Sequence, residues 1–247
     1  MGEARPQRSR QTARTAAGLL EFGSCNNSGG RHVVRRFSDR KVAGRLLAEH
    51  LAHYGGRDDV IVLALPRGGV PVAYEVAQAL DAPLDVFVVR KLGVPGFEEV
   101  ALGAVASGGA RVLNEQIIAE LAIGEHEIER IAARELAEVE RRERIYRGER
   151  PLVDLLNRVV ILVDDGLATG ATMRAAALAV REQGPASVVV AVPVAAAATC
   201  DEFRDAVDDV VCAVTPAPFL AVGLWYEDFA QTRDEEVREL LRETAPA

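Results

Sequence analysis

Two adjacent carboxylates followed by a loop of small residues form the segment of this sequence best suited to chemistry. Asp164 and Asp165 come directly after an apolar run at 159–163, and glycine, alanine and threonine dominate from there to Thr172. Glycines let a backbone approach a ligand closely, and free amides and hydroxyls at the start of a helix favour an anion. The acids would repel phosphate, but they can accept hydrogen bonds from a vicinal diol or help to hold a metal ion. The segment therefore predicts a site for a phosphorylated sugar.

The predicted phosphate-binding loop does not follow the two familiar glycine-rich motifs. It lacks the Gly-x-x-x-x-Gly-Lys-Ser/Thr order of a P-loop and the Gly-x-Gly-x-x-Gly order of dinucleotide sites. An alternative interpretation is that Asp164 and Asp165 only cap the following helix, as any isolated Asp-Asp-Gly turn can. The predicted ligand-binding residues of the loop are Gly166, Ala168, Thr169, Gly170, Ala171 and Thr172.

Strands and helices alternate along the chain, and their order decides where this segment would lie. Short apolar runs without alternation predict strands buried on both faces of a parallel sheet. Helical periodicity separates these runs, so we expect an α/β fold with a Rossmann-like, doubly wound parallel sheet. Ligands of such sheets bind beyond the carboxyl ends of the strands, which is where the two acids fall. The predicted strands cover 60–65, 84–89, 156–163, 187–194 and 209–214, and the predicted helices cover 39–51, 70–80, 115–146, 199–206 and the stretch from the acidic segment to about 183.

The composition limits the class of protein. Hydrophobic residues make up 49% and charged residues 27%, and no apolar stretch reaches the roughly 20 residues that a membrane span needs. The net charge of -8 argues against a general nucleic-acid binder. Residues 1–36 are rich in arginine and poor in acids, so we expect them to be disordered, although a transit peptide has a similar composition. The three cysteines show no C-x-x-C spacing, so neither a disulfide nor a zinc site is expected and a cytoplasmic location is favoured; they are Cys25, Cys200 and Cys212.

Residues 160–172 resemble the phosphoribosyl pyrophosphate (PRPP) signature of type I phosphoribosyltransferases, in which four apolar residues precede two acids and a small-residue loop. The resemblance implies that Asp164 and Asp165 hold the ribose hydroxyls, act in catalysis and contribute to Mg²⁺ binding. It also implies that residues 168–172 wrap the 5′-phosphate. Gly166 departs from the family pattern, since many members carry an aliphatic residue there, and we expect it to loosen the loop.

Two further segments support the resemblance. The Pro-Arg-Gly-Gly segment at 66–69 resembles the pyrophosphate loop of the family, which implies a cis peptide bond before Arg67. Arg67, Gly68 and Gly69 would then bind pyrophosphate. Arg90 and Lys91, at the end of the second predicted strand, fall where the family has a cation near the pyrophosphate. A solvated cationic pair at an exposed strand end is the alternative for these two residues.

The resemblance covers nearly the whole chain after the arginine-rich segment. It extends over residues 37–241 and is closest to a subgroup with an Arg-Lys-Leu-Gly-x-Pro-Gly element, here at 90–96. We therefore expect one phosphoribosyltransferase-like domain at 37–247. Its expected additions are a mobile loop at 92–109, a helical insertion at about 115–147 and a small hood at about 215–247.

The hood and the acceptor are the least patterned parts of the predicted site. Phe219, Trp225 and Tyr226 are candidates to stack on an acceptor base, but an ordinary apolar lid would contain the same aromatic residues. The resemblance implies Mg²⁺-dependent phosphoribosyl transfer from PRPP to an unidentified nucleobase or related small molecule, by a homodimer. The main alternative is a non-catalytic regulator that binds PRPP or a nucleotide without consuming it. A hydrolase of phosphorylated sugars ranks behind both.

Overall fold

The computed structural model describes residues 36–244 and two short strands that precede them. These strands, β1 (Gly23–Ser24) and β2 (His32–Val33), pair in antiparallel orientation. The remaining residues of the segment 1–36, for which the sequence predicts disorder, lie outside the described residues, as do residues 245–247. None of the described helices is both long and apolar enough to cross a membrane.

Five parallel strands form the central sheet, in the order β10-β9-β8-β3-β4. The two middle strands, β8 and β3, are buried along their whole length, as their apolar runs predict. The expected α/β fold with a doubly wound parallel sheet is therefore confirmed. The strands of this sheet are β3 (Val60–Ala64), β4 (Leu84–Val86), β8 (Val159–Val163), β9 (Ser187–Val194) and β10 (Asp209–Val214).

Helices cover both faces of the sheet. Because alternate residues of a strand point to opposite faces, Val62 packs in one core cluster and Leu63 in the other. The first cluster includes side chains of α1, α2, α4 and α7, and the second includes side chains of α5 and α6. The described helices are α1 (Arg40–His50), α2 (Gly69–Leu80), α3 (Glu115–Glu120), α4 (Glu125–Arg147), α5 (Ala171–Arg181), α6 (Ala197–Arg204) and α7 (Asp234–Glu243).

The second predicted strand, 84–89, is wrong in its extent, because the chain leaves the parallel sheet after Val86. There the Val86 carbonyl accepts a hydrogen bond from Arg147 at 2.9 Å, and the Val88 amide donates to Ser107 Oγ at 2.9 Å. These partners satisfy backbone groups that a longer parallel strand would pair within the sheet. The chain then forms a separate antiparallel sheet of β5 (Val89–Val94), β6 (Phe97–Ala106) and β7 (Arg111–Leu113). Residues 92–109, where a mobile loop is expected, belong mainly to this sheet.

The helical insertion lies where it is expected, but it consists of two helices. Residue Ala122, between α3 and α4, has a positive φ of 49° that an α-helix cannot contain. Most of the charged residues of α4 are exposed and paired with one another, as its sequence predicts. Arg147 is an exception, since its side chain is only 5% exposed and its Nε lies 3.0 Å from Asp85 Oδ1 on β4. This buried ion pair attaches the insertion to the central sheet.

A disulfide between Cys200 and Cys212 contradicts the prediction that the cysteines are unpaired. Cys200 lies on α6 and Cys212 on β10, the edge strand of the sheet. The two residues are 12 positions apart and match no spacing motif, but α6 packs across β10 and brings their Cα atoms to 6.7 Å. The bond thus depends on a helix-to-strand packing that cysteine spacing does not reveal.

Candidate functional site

The predicted phosphate loop connects β8 to α5 and exposes a helix start. Gly170 precedes α5 with a left-handed φ of 69°, and no side chain caps the first amides of this helix. Ala168, Thr169, Ala171 and Thr172 are exposed around it. Uncapped amides at the positive end of a helix form a favourable environment for an anion. The structure therefore brings the predicted phosphate ligands together at one helix terminus.

Helix α6 supports this loop from behind, which the sequence pattern does not indicate. Thr199 donates a hydrogen bond from Oγ1 to the Ala168 carbonyl at 2.8 Å. A Cβ atom on Gly170 would lie 2.6 Å from Cε2 of Phe203, so the glycine is needed for close packing as well as for its backbone conformation. Thr199 and Phe203 are both buried, and they hold the loop against the sheet.

The two acids lie at the carboxyl end of β8 and contact different partners. Asp164 Oδ1 accepts a hydrogen bond from the Asp165 amide at 2.8 Å. Asp165 Oδ2 lies 2.9 Å from Nε and 2.8 Å from Nη2 of Arg40, the first residue of α1. Burial raises the pKa of Asp164 well above its usual range, and the charge of Asp165 adds to this effect. Burial also raises the pKa of Asp165, while the Arg40 guanidinium acts in the opposite direction.

The predicted pyrophosphate loop packs directly against these acids. The Pro66–Arg67 peptide bond is cis, as predicted. A Cβ atom on Gly69 would lie 2.7 Å from the Val163 carbonyl oxygen, and one on Gly68 would overlap the Asp165 carboxylate. Only glycine allows this approach, so the loop and the acid pair form one continuous surface. Arg67 Nη1 lies 3.6 Å from Asp234 Oδ1 at the start of α7.

Arg90 and Lys91 lie within β5 and not at the end of a parallel strand, which corrects the predicted placement. Arg90 is paired with Glu135 of α4, its Nη2 lying 2.8 Å from Glu135 Oε2, and Glu135 is 8% exposed. Arg90 and Lys91 line a cavity of about 400 Å³ together with residues of α4 that include Arg130 and Arg134. Their contact with pyrophosphate stays a prediction.

The hood packs its aromatic residues against α1 and the sheet. Trp225 is 5% exposed in a cluster with Phe37, Tyr226 and the partly buried Phe219, an arrangement that favours the apolar-lid interpretation for Trp225. Backbone hydrogen bonds join the hood to the start of the domain, with the Phe37 amide donating to the Trp225 carbonyl at 2.8 Å. Tyr226 donates from its hydroxyl to the Asp165 carbonyl at 2.6 Å. The hood therefore contacts the acid pair directly.

Gly166 is held tightly, contrary to the expectation that it loosens the loop. A Cβ atom at this position would lie 2.6 Å from Cγ1 of Val222 and 2.9 Å from the Val194 carbonyl oxygen. Val222 belongs to the 3₁₀ turn Val222–Trp225 of the hood. The absence of a side chain at Gly166 thus makes room for the hood.

A family model described as a phosphoribosyl transferase domain matches residues 39–222. The chain belongs to this phosphoribosyltransferase family. Its similarity to solved structures includes TT1426 from Thermus thermophilus, with 46% sequence identity and a TM-score of 0.77 over 85% of this chain and 100% of that chain. The fold is that of the type I phosphoribosyltransferases, as the resemblance of residues 160–172 predicts.

Curated relatives of this phosphoribosyltransferase come from Mycobacterium tuberculosis. They are "Putative phosphoribosyl transferase Rv0571c" of strain ATCC 25618 / H37Rv and "Putative phosphoribosyl transferase MT0597" of strain CDC 1551 / Oshkosh. Each is 46% identical over 204 residues, which cover 83% of this chain and 46% of the relative. The chain therefore spans about half the length of these relatives.

The donors around the acid pair suit a magnesium ion that keeps most of its other ligands. Mg²⁺ is commonly bound through one or two carboxylates, water and substrate phosphates. Asp164 and Asp165 supply such carboxylates, although Arg40 already occupies one oxygen of Asp165. The described part of the phosphoribosyltransferase contains no group of three or more acidic, histidine or cysteine side chains arranged around a common metal position. The pair fits a metal that arrives with a phosphate ligand better than one held by protein alone.

Sequence reasoning missed Arg40, Thr199 and Phe203 as parts of this site. The last two left no local signal, because their role depends on the packing of α6 against the loop. Arg40 left a weak one. It begins α1, where the helix dipole disfavours a cation, and α1 has no acidic residue in its first turn.

Proposed function

We propose that this protein transfers a phosphoribosyl group from PRPP to a small acceptor in a Mg²⁺-dependent reaction. The observation that carries the proposal is the contact between the acid pair and two backbone loops. Gly68 and Gly69 pack against the carboxylates on one side, and the uncapped start of α5 follows them on the other. A ribose with phosphate groups at both ends matches acids that lie between two anion-binding segments.

The proposed role of the protein is to position the donor and to stabilise charge. As the bond from the anomeric carbon to pyrophosphate breaks, positive charge develops on the ribose ring. The carboxylates of Asp164 and Asp165 favour this charge, and they accept hydrogen bonds from the ribose hydroxyls. The amides before α5, with Thr169 and Thr172, anchor the 5′-phosphate and so fix the distance between the ring and the acids.

Arg67 and the amides of Gly68 and Gly69 are proposed to bind the departing pyrophosphate. Asp164 and Asp165 are the residues that would hold Mg²⁺, which when bound offsets the negative charge of pyrophosphate. The acceptor, proposed to be a nucleobase or related small molecule, would approach from the side covered by the hood. A homodimer and a cytoplasmic location remain parts of the proposal.

Calorimetric titration with PRPP and MgCl₂ tests the proposal. The wild-type protein should bind saturably, and Asp164→Asn/Asp165→Asn should weaken binding at least 100-fold, because both acceptors of the ribose hydroxyls lose their charge. Asp58→Asn/Asp59→Asn is the matched control. It neutralises an adjacent acid pair that is exposed just before β3, and it should bind like the wild type. Equal affinity in all three proteins would refute the proposed site.

Pyrophosphate release distinguishes the transferase from a non-catalytic regulator. The burial of Trp225 is the observation that favours the regulator, since this ring is not open for stacking on an acceptor. The wild-type protein is incubated with PRPP, Mg²⁺ and a panel of purine and pyrimidine bases, and pyrophosphate is measured over many turnovers. Sustained release with one base establishes transfer, whereas saturable binding without release for any acceptor favours the regulator.

A further inference from the structure

Arg40 directs its charge into the site although it begins a helix. The first two residues of α1 are Arg40 and Lys41, and cations at a helix N-terminus are electrostatically unfavourable. Lys41 is exposed to solvent, whereas the Arg40 side chain is 12% exposed. Burying a guanidinium requires compensating partners, so the contacts of Arg40 show what it is held for.

All three nitrogen atoms of the Arg40 guanidinium have a partner. Nε and Nη2 both contact Asp165 Oδ2, at 2.9 and 2.8 Å, and Nη1 donates to the Ala230 carbonyl at 2.8 Å. Within the described residues, the other carboxylate oxygen of Asp165, Oδ1, accepts no hydrogen bond. Arg40 therefore fixes the carboxylate through one oxygen and leaves the second for a ligand.

The same guanidinium joins Asp165 to the hood. Its central carbon lies 4.0 Å from the ring centroid of Phe229 and 5.9 Å from that of Tyr226. The rings of Tyr226 and Phe229 contact each other with centroids 5.0 Å apart, and the Tyr226 hydroxyl bonds to the Asp165 backbone. A shift of the Asp165 side chain would thus be transmitted through Arg40 to the hood.

We infer that Arg40 is a positioning residue that orients Asp165 toward the ribose hydroxyls and couples this carboxylate to the hood. The inference rests on the proposed function, because it requires a ribose at the acid pair. Arg40 does not contact the 5′-phosphate loop in this arrangement. Its removal should therefore weaken recognition of the sugar and spare recognition of phosphate.

A comparison of ribose 5-phosphate with inorganic phosphate tests the positioning role. Both ligands are titrated calorimetrically into the wild type, Arg40→Gln, Arg40→Lys and the control Lys41→Gln, which removes one charge from the same helical turn. Arg40→Gln should lower the affinity for ribose 5-phosphate at least tenfold and change that for phosphate less than twofold. Arg40→Lys should give an intermediate loss, because it keeps the charge but lacks the planar fork that reaches Asp165 and Ala230 together.

Fluorescence tests the coupling, because Trp225 is the single tryptophan of the chain and lies in the hood. Ribose 5-phosphate should change its emission in the wild type and in Lys41→Gln. At saturating ligand, Arg40→Lys should show less than half of that change, since its ammonium cannot join Asp165 to the hood as the guanidinium does.

Each negative outcome has a distinct meaning. Equal losses for both ligands in Arg40→Gln would make Arg40 a general structural residue and overturn the inference, as would unchanged affinity for both. A full emission change in Arg40→Lys would overturn the coupling. If the wild type binds ribose 5-phosphate while Arg40→Gln does so equally well, the proposed function survives and only the role of Arg40 fails. If the wild type binds neither ribose 5-phosphate nor PRPP, both fail.

Discussion

The two sides of the acid pair are built in different ways. On the loop side, residues 166–172 are contiguous in sequence and present backbone amides at the start of α5. On the hood side, Arg40 and the Ala230 carbonyl are 190 positions apart and meet beside Asp165. The loop side binds through main-chain groups that follow from a local motif, whereas the hood side depends on a few side chains from both ends of the domain.

This difference indicates a division of labour between the sides. A phosphate needs only amides and a helix terminus, which a short glycine-containing segment can provide. Orientation of a carboxylate toward a ribose, and closure over an acceptor, require groups that come from separate elements. Substitutions on the loop side should therefore change phosphate affinity, and those on the hood side should change recognition of the sugar.

The largest effect is expected for Gly170→Ala on the loop side. The new methyl group would meet Phe203 at 2.6 Å while the backbone keeps a φ of 69°. The free energy of unfolding, measured in urea, should fall by about 3 kcal/mol, and phosphate affinity should fall at least tenfold. Adding Phe203→Leu should recover the packing part of the loss and not the backbone part. An unchanged stability would mean that α6 does not support the loop as described.

A smaller effect, of about 2 kcal/mol, is expected where the hood touches the loop. Gly166→Ala would place a methyl group 2.6 Å from Val222 and displace the hood. Trp225 emission should shift to longer wavelength as its surroundings open. Val222→Ala in the same chain should restore part of the stability and of the emission, because it removes the contacting methyl groups. Unaltered emission in Gly166→Ala would contradict the tight packing at this position.

A matched pair of single hydrogen bonds separates the two sides. Thr199→Val removes the bond to the Ala168 carbonyl, and Tyr226→Phe removes the bond to the Asp165 carbonyl. Each should cost about 1 kcal/mol of stability in urea denaturation. Titrations should show weaker binding of inorganic phosphate for Thr199→Val only, and a selective loss for ribose 5-phosphate in Tyr226→Phe. The same ligand profile for both variants would remove the proposed division.

The smallest effect is expected for Asp164→Asn in the ligand-free protein, and it is stabilising. Because burial raises the folded-state pKa of Asp164, the native protein loses stability as pH rises above the unfolded pKa of about 3.9 toward the folded value. The amide does not ionise, so the variant should melt roughly 1–2 °C above the wild type at pH 7, for about 0.5 kcal/mol. The difference should vanish as pH falls toward 4. A Tm gap that is independent of pH would exclude ionisation as its cause.

Much of the scaffold could be predicted because its signals are local. The strands 187–194 and 209–214 have the predicted bounds, since apolar runs of this length are buried in a parallel sheet whatever follows them. The acids, the glycine loop and the cis peptide before Arg67 lie within short segments that resemble a family motif. Asp39 caps α1 as expected, through its bond to the Val42 amide.

The sequence by itself therefore determined the fold class, the order of the elements and the phosphate loop, because each depends on neighbours within a few residues. Only the tertiary structure decided that the strand after residue 84 ends at Val86, where Arg147 binds a carbonyl from another element. It also decided the Cys200–Cys212 pairing, the close packing of Val222 on Gly166 and the role of Arg40 at Asp165. These contacts join residues that are distant along the chain, and burial and charge pairing select them only once the sheet and helices have assembled.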